Sequence, residues 1–190
     1  MRLPSLVWVL LAVAWAATDV GAGVYLTRDE ALRLAFGDEA VERTSVFLTD
    51  TQLTRAQELA GDGVEIRSAL VTRFVDPDGK SAYFDTHLVR TLQETLMVVI
   101  TPQATVERIE ILSFLEPREY LPREAWLEQF GGRELDRDLA LKRKIHGITG
   151  ATLSARAVTE ATRRVLATHQ AISESAPASG KAKEHGEPTR

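Results

Sequence analysis

Hydrophobic positions in this chain recur at two spacings, near 3.6 residues in some segments and near two in others, and the switch between them predicts the order of elements. Thr27-Arg28-Asp29-Glu30 has the form of a capping box, and Leu32, Ala35 and Phe36 then share one helical face up to a stop at Gly37. Val41 to Leu48 reads as a short strand. Asp50 or Thr51 can cap a second helix that carries Leu53, Ala56, Leu59 and Ala60 and ends at Gly61-Asp62-Gly63. From Glu65 the period shortens, and Asp76-Pro77-Asp78-Gly79 predicts a turn between strands at about 65–75 and 80–88. Leu96-Met97-Val98-Val99-Ile100 is continuously apolar, as in a central strand covered on both faces. Thr101-Pro102-Gln103-Ala104 turns the chain into a further strand over Thr105 to Phe114. Pro122 stands where a first helical residue belongs, ahead of Trp126, Leu127 and Phe130 and a stop at Gly131-Gly132. A last helix starts at Thr152 or Ser154 and carries Val158, Ala161, Val165 and Ile172. This order predicts a single α+β domain over residues 23–172, a largely antiparallel sheet with flanking helices.

The ends of the chain read differently. Arg2 and the 12-residue apolar run Leu6 to Ala17, followed by the small residues Val20-Gly21-Ala22, have the form of an export signal over residues 1–22. That run is short of the ~20 residues that cross a bilayer. Residues 173–190 hold Ser, Ala, Pro, Gly, Lys and Glu without a large apolar side chain, the composition of a disordered tail. The mature protein is therefore expected outside the cytoplasm, in the periplasm, with membrane association left open. A net charge of −4 and the lack of a basic patch interleaved with aromatics argue against a nucleic-acid partner. With no cysteine, disulfides, thiolate-held iron–sulfur clusters and Cys-x-x-Cys-His haem attachment are excluded.

Candidate chemistry concentrates at the start of the last helix. Residues 146–154 form a small, hydroxyl-rich turn, in which Thr149, Thr152 and Ser154 flank Gly150 and Ala151. The first N–H groups of a helix lack intrahelical partners and carry positive potential, so such a turn can hold a phosphate. It can equally serve as a plain helix cap with no ligand.

The segment Gly147-Ile148-Thr149-Gly150-Ala151-Thr152-Leu153-Ser154 resembles the flavinylation motif of the FMN-binding domain family, which includes the flavin-bearing G subunit of Rnf and the C subunit of the sodium-pumping quinone reductase. The family motif runs Asp, two variable residues, Ser or Thr, Gly, Ala and a Thr whose oxygen forms a phosphoester with FMN. The resemblance implies that Thr152 is the acceptor and that Thr149, Gly150, Ala151, Leu153 and Ser154 surround it. His146 stands where the family usually has Asp, which puts the efficiency of the modification, or the identity of the modifying enzyme, in question. Looser similarity to stand-alone exported members spans residues 23–172, in Val24-Tyr25-Leu26-Thr27 and in Phe114-Leu115-Glu116-Pro117.

The resemblance further implies an FAD- and magnesium-dependent flavin transferase as one partner and a membrane-bound redox protein as another. The expected function is electron transfer between a membrane reductase and an extracytoplasmic acceptor, as a carrier rather than a stand-alone oxidoreductase. A non-covalent FMN- or phosphate-ligand-binding or sensory module is the alternative. A flavin reductase with its own small substrate is a third reading, for which no substrate pocket is evident.

Glu116, in Glu116-Pro117-Arg118-Glu119-Tyr120, matches a Glu-containing loop that the family places near the flavin. His146 borders the motif and is a candidate for the flavin environment. His87 could touch the flavin or relay a proton, although a satisfied structural histidine is the simpler reading. Trp126 and Phe130 could shield the ring or belong to the core. His169 and His185 are expected at the surface. The four histidines are too scattered for a metal site, and no nucleophile is paired with a base as a hydrolase requires.

Overall fold

The computed structural model describes residues 23–175. The expected export signal lies outside them, as do residues 176–190. Six strands form one antiparallel sheet in the order β1-β6-β5-β4-β3-β2. They are β1 (Gly23–Val24), β2 (Glu42–Phe47), β3 (Leu70–Val75), β4 (Ser81–Leu88), β5 (Gln93–Ile100) and β6 (Val106–Phe114). The helices are α1 (Arg28–Phe36), α2 (Asp50–Ala60), α3 (Glu124–Leu127) and α4 (Thr152–Ser175). The single α+β domain expected from the sequence is the one observed. None of the described helices is long and apolar enough to cross a membrane.

β5 lies inside the sheet, and its alternation feeds two cores. Leu96, Val98 and Ile100 pack with Val158, Ala161, Val165 and Leu166 of α4 and with Phe130, whereas Met97 and Val99 pack with Ala31, Ala35 and Phe36 of α1. The sheet is thus covered on both faces, which is why Leu96 to Ile100 reads as an unbroken apolar run. α2 packs on α4 through Ala60, Val64 and Ala167.

Local chemistry explains most of the boundaries. Thr27 and Glu30 form the reciprocal capping box that starts α1, and Gly37 ends it at a φ of 64°. α2 is capped by Thr49 with Gln52, ahead of both Asp50 and Thr51, the caps expected from the sequence; a Gln at N3 completes the box as well as a Glu does. Pro122 is not the first helical residue. A 3-10 turn at Arg118–Tyr120 precedes it, and α3 begins two residues later, at Glu124. β3 starts only at Leu70, so residues 65–69 are not strand; there Gln57 ties the chain to α2 through the Val64 carbonyl and the Ile66 N–H. α4 runs to Ser175, three residues into the segment expected to be a disordered tail.

His169, expected at the surface, is buried on α4 with its Nδ1 2.9 Å from the Tyr83 hydroxyl. Burial, with help from Arg73, pulls its pKa down to about 4. A histidine kept neutral in the fold binds its proton more readily when unfolded, near 6.5, so its contribution is complete above that pH and is lost as pH falls towards 4. The shift corresponds to a loss on the order of 3 kcal/mol. Urea titrations from pH 7 down to 4 are expected to show a steeper decline in wild type than in His169→Gln, which keeps a polar partner for Tyr83 but does not titrate; parallel declines would refute this account of His169.

Candidate functional site

The turn before α4 is made by the Ala151 N–H, which donates to the Ile148 carbonyl at 3.1 Å. Gly150 sits at a φ of 82°, and a Cβ built there would meet nothing within 4 Å. Glycine is therefore required by the backbone conformation, not by crowding. The first bond into the helix runs from the Ala155 N–H to the Ala151 carbonyl at 3.1 Å. The N–H groups of Thr152, Leu153 and Ser154 are left without a protein acceptor among the described residues. A 24-residue helix thus presents its positive, unsatisfied end in one direction.

That end opens on a cavity of about 240 Å³, walled by Gly150 to Ser154, by Val89 and Arg90 of the turn between β4 and β5, and by Glu116 and Tyr120. Its size is below the roughly 300–1,000 Å³ of pockets that enclose a whole small molecule, and suits one end of a larger ligand. Thr152 and Leu153 are exposed, whereas Ala151 and Ser154 are buried. Thr152 is thus the exposed hydroxyl-bearing residue of the first helical turn, and it adjoins the cavity.

Glu116 is buried and acts as a clamp. Its Oε1 accepts from the Thr91 N–H at 2.7 Å, the Leu92 N–H at 2.9 Å and the Thr91 hydroxyl at 3.3 Å. The N–H of Thr91 foremost, against a smaller desolvation penalty, holds its carboxyl below the ordinary range. The clamp fixes the turn that carries Val89 and Arg90.

Of the residues singled out from the sequence, Thr152, Gly150, Ala151, Leu153, Ser154 and Glu116 meet at one cavity. Thr149 and His146 are exposed beside it and do not line it. The backbone of His146 is pinned, its N–H donating to Gln129 Oε1 at 2.9 Å and its carbonyl accepting from Trp126 Nε1 at 2.8 Å. Trp126 therefore tethers the loop, and Phe130 is a fully buried core residue at 5.4 Å from the Trp126 ring. Neither lines the cavity. His87 is buried between Asp85 and Glu94. His185 lies outside the described residues. Tyr120 belongs to the loop singled out with Glu116, whereas Val89 and Arg90 were not foreseen, because the turn at 89–92 has no Gly, Pro, Asn or Asp to mark it.

The fold and this cavity define an α+β domain whose longest helix begins at a cavity, with its first amides lacking protein acceptors. Residues 93–167, from β5 into α4, match the family model described as FMN-binding domain, and this match supports FMN as the ligand. No curated protein and no solved structure matches the chain.

Two substitutions test how the cavity is built. Gly150→Ala places a Cβ at positive φ and is expected to cost about 1 kcal/mol without blocking the cavity. Glu116→Gln should cost more, about 1.5–3 kcal/mol, since it weakens charge-assisted bonds to the amides of Thr91 and Leu92. Chemical denaturation reads both. Equal stability of Glu116→Gln and wild type would mean that the clamp does not hold the turn.

Proposed function

We propose that the chain is an exported electron-transfer flavoprotein whose FMN is attached through a phosphoester to Thr152. The observation that carries this reading is the exposed Thr152 hydroxyl at a helix start where three consecutive amide N–H groups lack protein acceptors, beside a cavity in an FMN-binding domain. A phosphoester on that oxygen would place its remaining anionic oxygens by those N–H groups, the partners an unsatisfied helix end favours. Arg90 adds a positive charge on the opposite wall.

The threonine hydroxyl is far too weak an acid to attack phosphorus unaided. The attachment accordingly needs a magnesium-dependent flavin transferase: the Thr152 oxygen bonds to the FMN phosphorus of FAD, the pyrophosphate bond breaks, AMP leaves and the hydroxyl proton passes to the enzyme. The exposure of Thr152 and Leu153 suits such a docking event. Bound flavin supplies one- and two-electron chemistry. Export is supported by Arg2 and the apolar run Leu6 to Ala17. A tether suits an exported carrier, because a dissociated flavin would be diluted outside the cell. A membrane-bound reductase would supply the electrons and an extracytoplasmic acceptor would receive them.

Co-expression with a flavin transferase followed by a denaturing gel tests the linkage. Flavin fluorescence is expected on the unfolded band of wild type and is expected to vanish in Thr152→Ala. Fluorescence lost from both on unfolding would mean that FMN is held without a covalent bond.

A further inference from the structure

One face of β4 carries a file of polar side chains beneath α4. Residues 83, 85, 87 and 89 share that face, because side chains alternate along a strand. Tyr83 meets His169, Asp85 meets Arg164, and Val89 lines the cavity with Thr152 to Ser154. Strand and helix therefore run in opposite directions in a fixed register, and His87 falls between the Arg164 contact and the cavity. Its position is two residues, about 7 Å along the strand, from Val89.

The contacts are continuous. Arg164 donates to both oxygens of Asp85, at 2.7 and 2.8 Å. Asp85 Oδ1 lies 2.8 Å from His87 Nδ1, and His87 Nε2 lies 2.9 Å from Glu94 Oε2 on β5. The side chains of His87 and Glu94 are 1% and 0% exposed. Glu94 Oε1 is buried with no partner among the described residues. For stability alone this is a poor arrangement, since apolar side chains of similar volume commonly serve as well as a buried ionic chain. His87 and Glu94 also face each other one rung from Leu88 and Gln93, where the hairpin closes into the turn that Glu116 clamps.

We propose that the His87–Glu94 pair is a redox-linked proton site, binding one proton when flavin in the adjoining cavity is reduced and releasing it on reoxidation. The inference rests on the flavin occupying the cavity at the start of α4. With Arg164 charged and Asp85 ionised, a pair that shares one proton makes the file neutral, and a second proton makes it +1. Glu94 Oε1 is the atom that takes the second proton, because it is free to do so without breaking the bond from His87 to Oε2. The balance closes on two electrons from the reductant, dithionite in the test below, and two protons from water, one bound at the flavin and one at the pair.

The charges that face the pair come from Asp85 on β4 and Arg164 on α4; farther along the file stand His169 on α4, kept neutral, and Arg73 on β3, and from β6 the neighbour of Glu94 is Phe114, which is apolar. Glu116 and Arg90 stand on the cavity side. Burial lowers the proton affinity of His87, but its bonds to Asp85 and Glu94 more than reverse this and leave it raised. Burial raises that of Glu94. Both directions favour protonation of the pair over that of the isolated groups.

By linkage, a proton bound more tightly in the reduced protein makes the midpoint potential fall with pH between the oxidised-state and reduced-state pKa of the pair. Spectroelectrochemical titration of the flavin-loaded full chain is expected to show that window as an added slope of about 30 mV per pH unit, the value of a tenfold change for a two-electron couple. Glu94→Gln and His87→Gln should each lose the added slope while keeping FMN by intact mass and native circular dichroism. Reduced-minus-oxidised infrared spectra of wild type should gain the band of a protonated carboxyl, absent in Glu94→Gln. Identical slopes and spectra in flavin-loaded wild type and Glu94→Gln would overturn this inference alone. A chain without FMN by mass would refute the functional reading, and this inference with it.

Discussion

α4 is held along its length and left open at its start. Fourteen of its 24 residues are buried against the sheet, α2 and the loops, so the helix cannot slide or tilt to find other partners for its first amides. Those amides are the ones without protein acceptors, and they face a cavity rather than bulk solvent alone. The rest of the site follows from this constraint. Glycine at 150 permits the turn that aims the helix end, Ala151 is buried behind it, and Thr152 is exposed at the first position of the helix, among the open amides.

The opposite wall is built by the sheet. The β4–β5 hairpin extends to the same end of the molecule as the start of α4, and Glu116 joins it to the segment after β6 by gathering the amides of its turn. The family match begins at Gln93, so Val89 and Arg90 belong to the part of the chain that precedes it. The other lining residues, Glu116, Tyr120 and Gly150 to Ser154, fall inside the matched stretch. The polar file under α4 is part of the same construction, since the register that seats Arg164 on Asp85 also brings Val89 to the cavity.

Much of this was legible in the residues, for identifiable reasons. The Thr27–Glu30 capping box, the Asp76–Gly79 turn and the apolar run at 96–100 are local signals, and local geometry decides those elements. The turn at 146–154 was legible because its small residues, hydroxyls and following helix occur together in sequence. His169 was misread because its hydrophobic environment is supplied by Tyr83, 86 positions away. Val89 and Arg90 were missed for a similar reason: a turn held by a distant carboxylate needs no turn residues of its own. The pairing of His87 with Glu94 depends on strand register, which single residues do not declare.

The central claim concerns one oxygen atom, and peptide mapping by mass spectrometry addresses it most directly. In protein purified from its native host and digested with trypsin, the fragment Ile145 to Arg156 contains Thr149, Thr152 and Ser154. The account predicts that this fragment carries one FMN, less the water lost in ester formation, and that fragmentation places it on Thr152. An unmodified fragment, or FMN located on another hydroxyl, would contradict it.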